Sequence, residues 1–285
     1  MFHESGTVIA SDRQKLERTL SAMKHGGAGQ LHVLADFDKT LTKAFVSGKA
    51  VPSSVSVLRD NNKLAEGYAE KAHAHFKHYH AIEIDPSVPL PEKKKAMHEW
   101  WTAHFELIIA SHLTKDDIRY VVESGWMQFR DGACDFFSLL QKNNIPLVIM
   151  SATGLGNEVI ELFFKQQGLL TPNIHIIANA FVWDEKGVAV SYKEPIIHVF
   201  NKDETLLQNF PAFKDIQHRT NVIMIGDSVG DIGMVEGFSH ENLLAVGFLN
   251  GEEEKYKKNF QQNFDVVITG DGPLTPVTEL LDKIL

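Results

Sequence analysis

Residues 31–42 read L-H-V-L-A-D-F-D-K-T-L-T, an apolar run that stops abruptly at two aspartates, Asp36 and Asp38. A strand ending in a carboxylate sets it at the C-terminal edge of a sheet, where open α/β sheets bind ligands. Two carboxylates held this close repel, so the pair needs a cation between them or a proton on one. Mg²⁺ fits that need, because hard oxygen ligands suit it and transferable phosphate commonly accompanies it. A lone D-x-D is short and common, and two solvated aspartates at an ordinary strand end also explain it.

The rest of the chain must therefore decide. Its 285 residues can bury a substantial core, as one large domain or two modest ones. A net charge of −9 speaks against a nucleic-acid polymer as partner, since such binders carry a basic footprint. An anionic substrate must then be attracted locally, by a metal ion or a placed lysine. The single cysteine, Cys134, excludes an intrachain disulfide framework and fits a reducing compartment. No secretory signal opens the sequence, and no apolar run approaches the ~20 residues that cross a bilayer. The expectation is a soluble, cytoplasmic monomer with no membrane partner.

Periodicity supplies the architecture. Ser11–His25 reads as an amphipathic helix with Ser11 as N-cap, closed by glycines 26, 27 and 29. The pivotal strand runs from Leu31 to Asp36. For most of ninety residues after Thr42 the pattern is helical: Lys63–Ala81, a helix opened by Pro91, and a third begun by a Thr114–Asp117 capping box. Such an insert behind a strand reads as a cap that shields a site from water. From Asp131 the α/β rhythm resumes, with helices at Ala133–Lys142 and Leu155–Gln167 and strands at Ile145–Met150 and Ile174–Ala178. A hairpin follows about Asp184–Gly187, then a short helix over Asn201–Asn209. Strands at Asn221–Ile225, Leu243–Phe248 and Asp265–Ile268 and a helix at Pro276–Leu285 complete the chain. The expected fold is α/β, with a mostly parallel, Rossmann-like sheet core covered on both faces and an inserted helical cap. The core takes residues 1–44 and 130–285, and the cap 45–129.

Three of these strands end in polar residues: Asp36 with Asp38, Ser151, and Asp227 with Asp231 in G-D-S-V-G-D. Parallel strands share one C-terminal edge, so clusters far apart in sequence can meet there. Phosphoryl transfer needs a nucleophile, a proton donor, positive charge on the phosphate oxygens and in-line geometry. Asp36 can attack phosphorus to give an aspartyl-phosphate. Asp38 can protonate the leaving alkoxide and then activate water, given a pKa nearer neutrality than a free carboxyl's. Mg²⁺ held by Asp36, the main chain at Asp38, and Asp227 would neutralise the reacting oxygens. Ser151 at a helix N-terminus and Lys202 as a point charge would hold the phosphate.

In order, D-F-D-K-T, S-A-T, a lysine and G-D-S-V-G-D resemble the four signatures of the haloacid dehalogenase superfamily. The segments F-K-H-Y-H-A-I-E-I-D (76–85), E-W-W-T (99–102), Ile145-Pro146, Ser151-Ala152 and H-V-F-N-K (198–202) are similar to the pyrimidine 5′-nucleotidase family, the cytosolic 5′-nucleotidase III group. That resemblance spans Leu31 to the C-terminus. It implies Mg²⁺-dependent hydrolysis of nucleoside 5′-monophosphates, with pyrimidine substrates such as CMP and UMP expected. It also implies Asp36 as nucleophile and Asp38 as proton donor, with Ser151, Ala152 and Lys202 on phosphate, Asp227 on metal and Asp231 supporting the metal shell. In the cap it points to Glu83 as a base contact. Two departures stand out: His104 replaces a small hydroxyl residue that helps contact the nucleobase, and Thr153 replaces a glycine beside the phosphate.

The nearest alternative is the same chemistry on 7-methylguanosine monophosphate; a broader one is a small-metabolite phosphatase with a similar cap. A catalytically silent nucleotide-binding protein is disfavoured because the full set of chemical groups is present. His73, His75, His78 and His80 tempt a metal reading, but no zinc signature surrounds them, and a cap helix facing the substrate cleft accounts for them. Trp100 and Trp101 are adjacent, so one is expected in the core and the other beside the base.

Overall fold

The computed structural model describes residues 7–61, 63–202, 210–236 and 239–285. Its centre is a seven-stranded sheet ordered β1-β11-β10-β9-β2-β5-β6. The strands are β1 (Val8–Ala10), β2 (Leu31–Ala35), β5 (Leu147–Ser151), β6 (Ile174–Ala178), β9 (Asn221–Gly226), β10 (Asn242–Leu249) and β11 (Val266–Thr269). All neighbours pair in parallel except β1, which runs antiparallel along the outer edge of β11. Counted in chain order, the six parallel strands follow 3-2-1-4-5-6, so the direction of winding reverses between β2 and β9. That reversal opens a crevice at the C-terminal ends of those two strands.

The sheet is buried on both faces because its strands are apolar throughout rather than alternating. Alternate residues still divide the core. Leu31, Val33 and Ala35 pack with Met23 of α1 (Arg13–Gly26), Phe136 of α6 (Ala133–Lys142) and Phe163 of α7 (Asn157–Gln166). Leu34, Val148 and Met224 face the other way, onto Phe260 of helix Glu253–Asn263. A one-residue slip of β2 would exchange these two sets and lose both.

The insert leaves after β2 and returns before α6, and its two crossings touch. Thr42 bridges Phe129, the Lys43 N–H donates to the Gln128 carbonyl at 2.9 Å, and the Arg130 N–H donates to the Leu41 carbonyl at 3.1 Å. Between them lie α2 (Ser54–Asp60), α3 (Tyr68–Ile84), α4 (Leu90–Ala110) and α5 (Lys115–Glu123). The insert is not all-helical, however: a two-plus-two hairpin, β3 (Phe45–Val46) with β4 (Lys49–Ala50), opens it. The hairpin β7 (Phe181–Trp183) and β8 (Ala189–Tyr192) lies outside the main sheet and packs on the insert, with Tyr192 5.2 Å from Phe105 between ring centres.

Local chemistry explains the remaining differences. Asp12, not Ser11, caps α1, accepting from the Lys15 N–H at 2.9 Å, while the Ser11 hydroxyl donates to the Phe264 carbonyl at 2.7 Å. The β2 strand stops at Ala35, one residue before the first aspartate. The start of α3 slips from Lys63 to Tyr68 because Gly67 sits in the left-handed region, with φ of 80°. Thr114 and Asp117 do form the capping box of α5. The helix expected over Asn201–Asn209 lies, beyond Lys202, outside the described residues. Among the described residues no helix is long and apolar enough to cross a membrane.

Candidate active site

The switch point gathers the acidic residues. The Asp36 N–H donates to the Ile225 carbonyl at 3.0 Å, which pins the end of β2 against the end of β9. One oxygen each from Asp36, Asp227 and Asp231 then falls within 4.8 Å of the others, the one such cluster of ligating side chains among the described residues. Gly226 makes this approach possible. A Cβ there would stand 2.5 Å from the Asp231 Cβ, closer than any tolerable contact. Asp231 closes a capping box with Ser228, accepting its N–H at 3.0 Å on Oδ2 and leaving Oδ1 to face Lys202 at 3.3 Å. Buried Lys202 also donates to Asp36.

The electrostatics are strained without a further charge. Burial raises the Asp36 carboxyl well above its ordinary range; Lys202 opposes this, and Asp231, Asp227 and Asp38 push it higher. Burial and then Asp231 likewise raise Asp227. Burial lowers Lys202, but Asp36 and Asp231 outweigh it and hold its ammonium above the usual lysine value. Asp38 opens to solvent at the cleft mouth yet is surrounded by protein, and that desolvation raises it against the pull of Lys202 and Lys39. Three carboxylates against one ammonium leave the cluster two charges from neutrality. A divalent cation with oxygen ligands matches that deficit and that donor set.

Two cavities meet at this point. The first, an acidic cleft of about 510 Å³, is lined by Asp36, Asp38, Ser151, Ala152, Lys202, Asp227, Asp231 and, from the insert, His80 and Glu83. A second chamber of about 480 Å³ shares Asp38, Ser53 and Ala152 with it and is walled by Phe76, Trp100, Trp101 and Leu107. Both tryptophans line the chamber, with ring centres 6.3 Å apart and planes at 21°. Neither is sealed in the core, because two indoles 100° apart on α4 can still edge one wide cavity. The histidines of α3 do not gather: His73 and His75 line the chamber, whereas His80 bonds Glu83 at 2.8 Å. Glu83 borders the acidic cleft rather than the aromatic chamber. The His104 ring edges the chamber, but its Nε2 lies 2.9 Å from the Gly154 carbonyl and donates to it.

Burial, set against that bond, lowers the His104 pKa to about 4, and burial lowers His198 to about 4 as well. The unfolded chain binds these protons near 6.5, so between pH 6.5 and 4 it holds more protons than the fold. Stability therefore falls as pH drops through that window, by at most about 1.4 kcal/mol per pH unit for each histidine. Urea midpoints measured from pH 7 to 4 should show this limb, shallower in His104→Gln than in the native chain.

Two structural residues escaped the sequence reading. Buried Asn179, just past β6, donates to the Thr153 carbonyl at 3.2 Å and the Ile197 carbonyl at 2.9 Å, joining the Ser151 loop to the segment that leads to Lys202. Arg130 is fully buried where the insert returns. Its Nε donates to the Thr40 carbonyl at 2.6 Å, and its Nη2 to the Lys39 carbonyl and to Asn250 at 2.7 Å. Its Nη1 donates to Asp271 at 2.9 Å and the Gly272 carbonyl at 2.8 Å, and the guanidinium stacks 3.9 Å over Phe248. The one signal available was a lone arginine in M-Q-F-R-D-G, where the α/β rhythm resumes.

Comparison with known proteins agrees with this geometry. The profile of the family described as Pyrimidine 5′-nucleotidase (UMPH-1) matches residues 39–285, beginning just after the two aspartates. A 7-methylguanosine phosphate-specific 5′-nucleotidase of Homo sapiens is 35% identical over 280 residues, covering 98% of this chain and 93% of that protein. The crystal structure of cytosolic 5′-nucleotidase IIIB bound to cytidine superposes with a TM-score of 0.85 at 28% identity, covering 97% of this chain and 93% of the other. A HAD family hydrolase from Salmonella enterica serovar Typhi shares the fold, with a TM-score of 0.57 at 12% identity over 92% of this chain and 74% of its own. With its profile match and full-length relatives, the chain belongs to the pyrimidine 5′-nucleotidase family of haloacid-dehalogenase-type hydrolases.

Proposed function

We propose that this protein hydrolyses nucleoside 5′-monophosphates, pyrimidine nucleotides such as CMP and UMP foremost, with Mg²⁺ as its cation and the cytosol as its compartment. One observation carries the reading: the carboxylate–lysine cleft adjoins an aromatic chamber, the two sharing Asp38, Ser53 and Ala152 as lining residues. A phosphate in the first would place its nucleoside toward the second, where flat aromatic walls suit a base. Residues 45–129 act in this reading as a cap that excludes water.

Asp36 attacks phosphorus and becomes an aspartyl-phosphate as the P–O bond to the nucleoside breaks. Asp38, whose carboxyl desolvation raises above its ordinary value, gives its proton to the departing 5′-oxygen. It then takes a proton from water as that water attacks the intermediate, restoring Asp36 and releasing phosphate. Lys202, the Ser151 hydroxyl and the Ala152 amide hold the phosphoryl oxygens through both steps. Asp36, Asp227 and the main chain at Asp38, supported by Asp231, would hold Mg²⁺, which supplies positive charge to the phosphoryl oxygens. Glu83 keeps the base contact that the family resemblance implies, reaching it from the cleft side, since it lines the cleft and not the chamber.

A second reading, 7-methylguanosine monophosphate, is favoured by relatives named as 7-methylguanosine phosphate-specific 5′-nucleotidases and by a chamber wall of Phe76, Trp100 and Trp101, since a cationic ring gains from aromatic faces. A phosphate-release assay comparing kcat/KM for CMP, UMP and 7-methyl-GMP, with and without Mg²⁺, separates them. CMP or UMP is expected to lead, with no release in chelator. Preference for 7-methyl-GMP or another purine nucleotide would overturn the pyrimidine assignment. Glu83→Ala should lower kcat/KM by about tenfold to a hundredfold, the scale of a lost charged hydrogen bond; unchanged turnover would point to a small-metabolite phosphatase.

A further inference from the structure

The loop from Ser151 to Gly156 runs from the catalytic cleft, lined by Ser151 and Ala152, to the aromatic chamber, lined by Ala152, Thr153 and Gly154, and it is gripped from two sides. The core holds the Thr153 carbonyl through Asn179 at 3.2 Å. The cap holds the next carbonyl, that of Gly154, through the His104 Nε2–H at 2.9 Å. Beside that bond the Ser54 hydroxyl of α2 lies 3.3 Å from the Thr153 hydroxyl. There is no slack between cap and loop. A Cβ on Gly154 would stand 2.7 Å from Val55 Cγ2, 2.8 Å from His104 Nε2 and 3.0 Å from Trp101 Cζ3. Two cap helices therefore rest on loop backbone, and only one of the three groups met there forms a directed bond.

We propose that His104 is a positioning residue, which fixes the Ser151–Gly156 loop from the cap side so that Ser151 and Ala152 present their donors to phosphate. This rests on the assignment of those two residues to phosphate. It departs from a base-reading role: the ring nitrogen that would address a nucleobase is already spent on Gly154. A donor at Nε2 is what the loop requires, and the imidazole supplies it at the length that α4 and the loop are spaced. The seat of the cap over the nucleoside and the alignment of the phosphate loop then become one event. A substrate lacking the base loses more than affinity.

The test compares the native chain with His104→Leu, which removes the donor, and His104→Gln, whose amide nitrogen reaches the Nε2 position. Hydrogen–deuterium exchange of the 151–156 peptide is read without ligand, and inhibition by inorganic phosphate is read with Mg²⁺. In His104→Leu the loop should exchange faster and Ki for phosphate should rise about tenfold to a hundredfold, as expected for an orphaned buried acceptor. Gln should restore both to within a few-fold. Native-like loop exchange in the Leu variant, or failure of Gln to restore it, overturns the proposal; so does a shift in base preference with Ki unchanged. Should His104→Leu not fold, Gly154→Ala is read by the same exchange, which must quicken. The exchange arm needs neither turnover nor nucleotide, so an inactive native chain would sink the nucleotidase reading and leave this one to be judged separately.

Discussion

Replacing Asp36 with asparagine is expected to cut phosphate release by at least about 10⁴-fold, because an amide cannot carry the phosphoryl group and the nearby Asp227 and Asp231 are committed to the cation in the proposed mechanism. Asp38 is the nearest in sequence, but it lines the mouth shared with the aromatic chamber, whereas Asp36 sits against Lys202 at the strand end. Stability should move the other way. The Asp36 carboxyl is raised, chiefly by burial, so above the ordinary carboxylate range its ionisation works against the fold. Between the unfolded and the raised folded value the native state holds the extra proton, and stability falls as pH climbs through that interval. Asp36→Asn removes this penalty. In chelator at neutral pH it should melt at or above the native temperature. Mg²⁺ should then raise the native Tm and move the variant less, since ligand binding stabilises only where the site survives. Calorimetry with and without Mg²⁺, beside the release assay, reads both. Native turnover in the variant would remove Asp36 from the nucleophile's place.

The second large effect belongs to Arg130→Met. The methionine fills part of the volume but leaves the Thr40 and Gly272 carbonyls without their donor and strips Asp271 of its cation. Removing one partner of a buried ion pair costs about 3–5 kcal/mol, roughly 5–15 °C in Tm for a chain this long. Asp271 also accepts the Ala44 and Phe45 N–H groups at 2.8 and 2.9 Å, so the damage spreads to the outgoing strand of the insert. Catalysis should fall well below the melting temperature. The Lys39 carbonyl that Arg130 holds belongs to a residue with φ of 60°, in the turn directly after Asp38. Asn250→Ala is the gentler probe, because it deletes a 2.9 Å bond to the same carbonyl and a single acceptor of the guanidinium, whose bonds to Thr40, Lys39, Asp271 and Gly272 remain. Lysine at 130 keeps the charge but lacks the fork that reaches five acceptors, and it should rescue little. A variant with native Tm and kcat would show that the clamp holds nothing.

What the sequence made legible follows from range. The strand Ile174–Ala178, the helix Ala133–Lys142 and the Thr114 capping box are written in a few consecutive residues, and the structure returns them as read. The convergence of Asp36, Asp227 and Asp231 was legible too, because parallel strands share one edge and each acidic pair follows an apolar run. Short elements were not: Val8–Ala10, Phe45–Val46 and Lys49–Ala50 are too brief to show a period, and in the short α2 the serine–valine alternation masks the helical side of Val57 and Leu58. Arg130 and Asn179 were hidden for a different reason. Their partners are mainly backbone carbonyls, some ninety or more positions away for Arg130, and a carbonyl carries no sequence label. The His104 bond was hidden in the same way, because its partner is again a backbone carbonyl, that of Gly154.

The antiparallel strand Val8–Ala10 has a consequence for handling the protein. It covers the otherwise bare rim of β11, whose apolar Val266–Thr269 would offer a ready template to a neighbouring molecule. Trimming the chain past Ala10 would spare every catalytic group and yet invite intermolecular strand pairing, so soluble yield rather than turnover would register the loss.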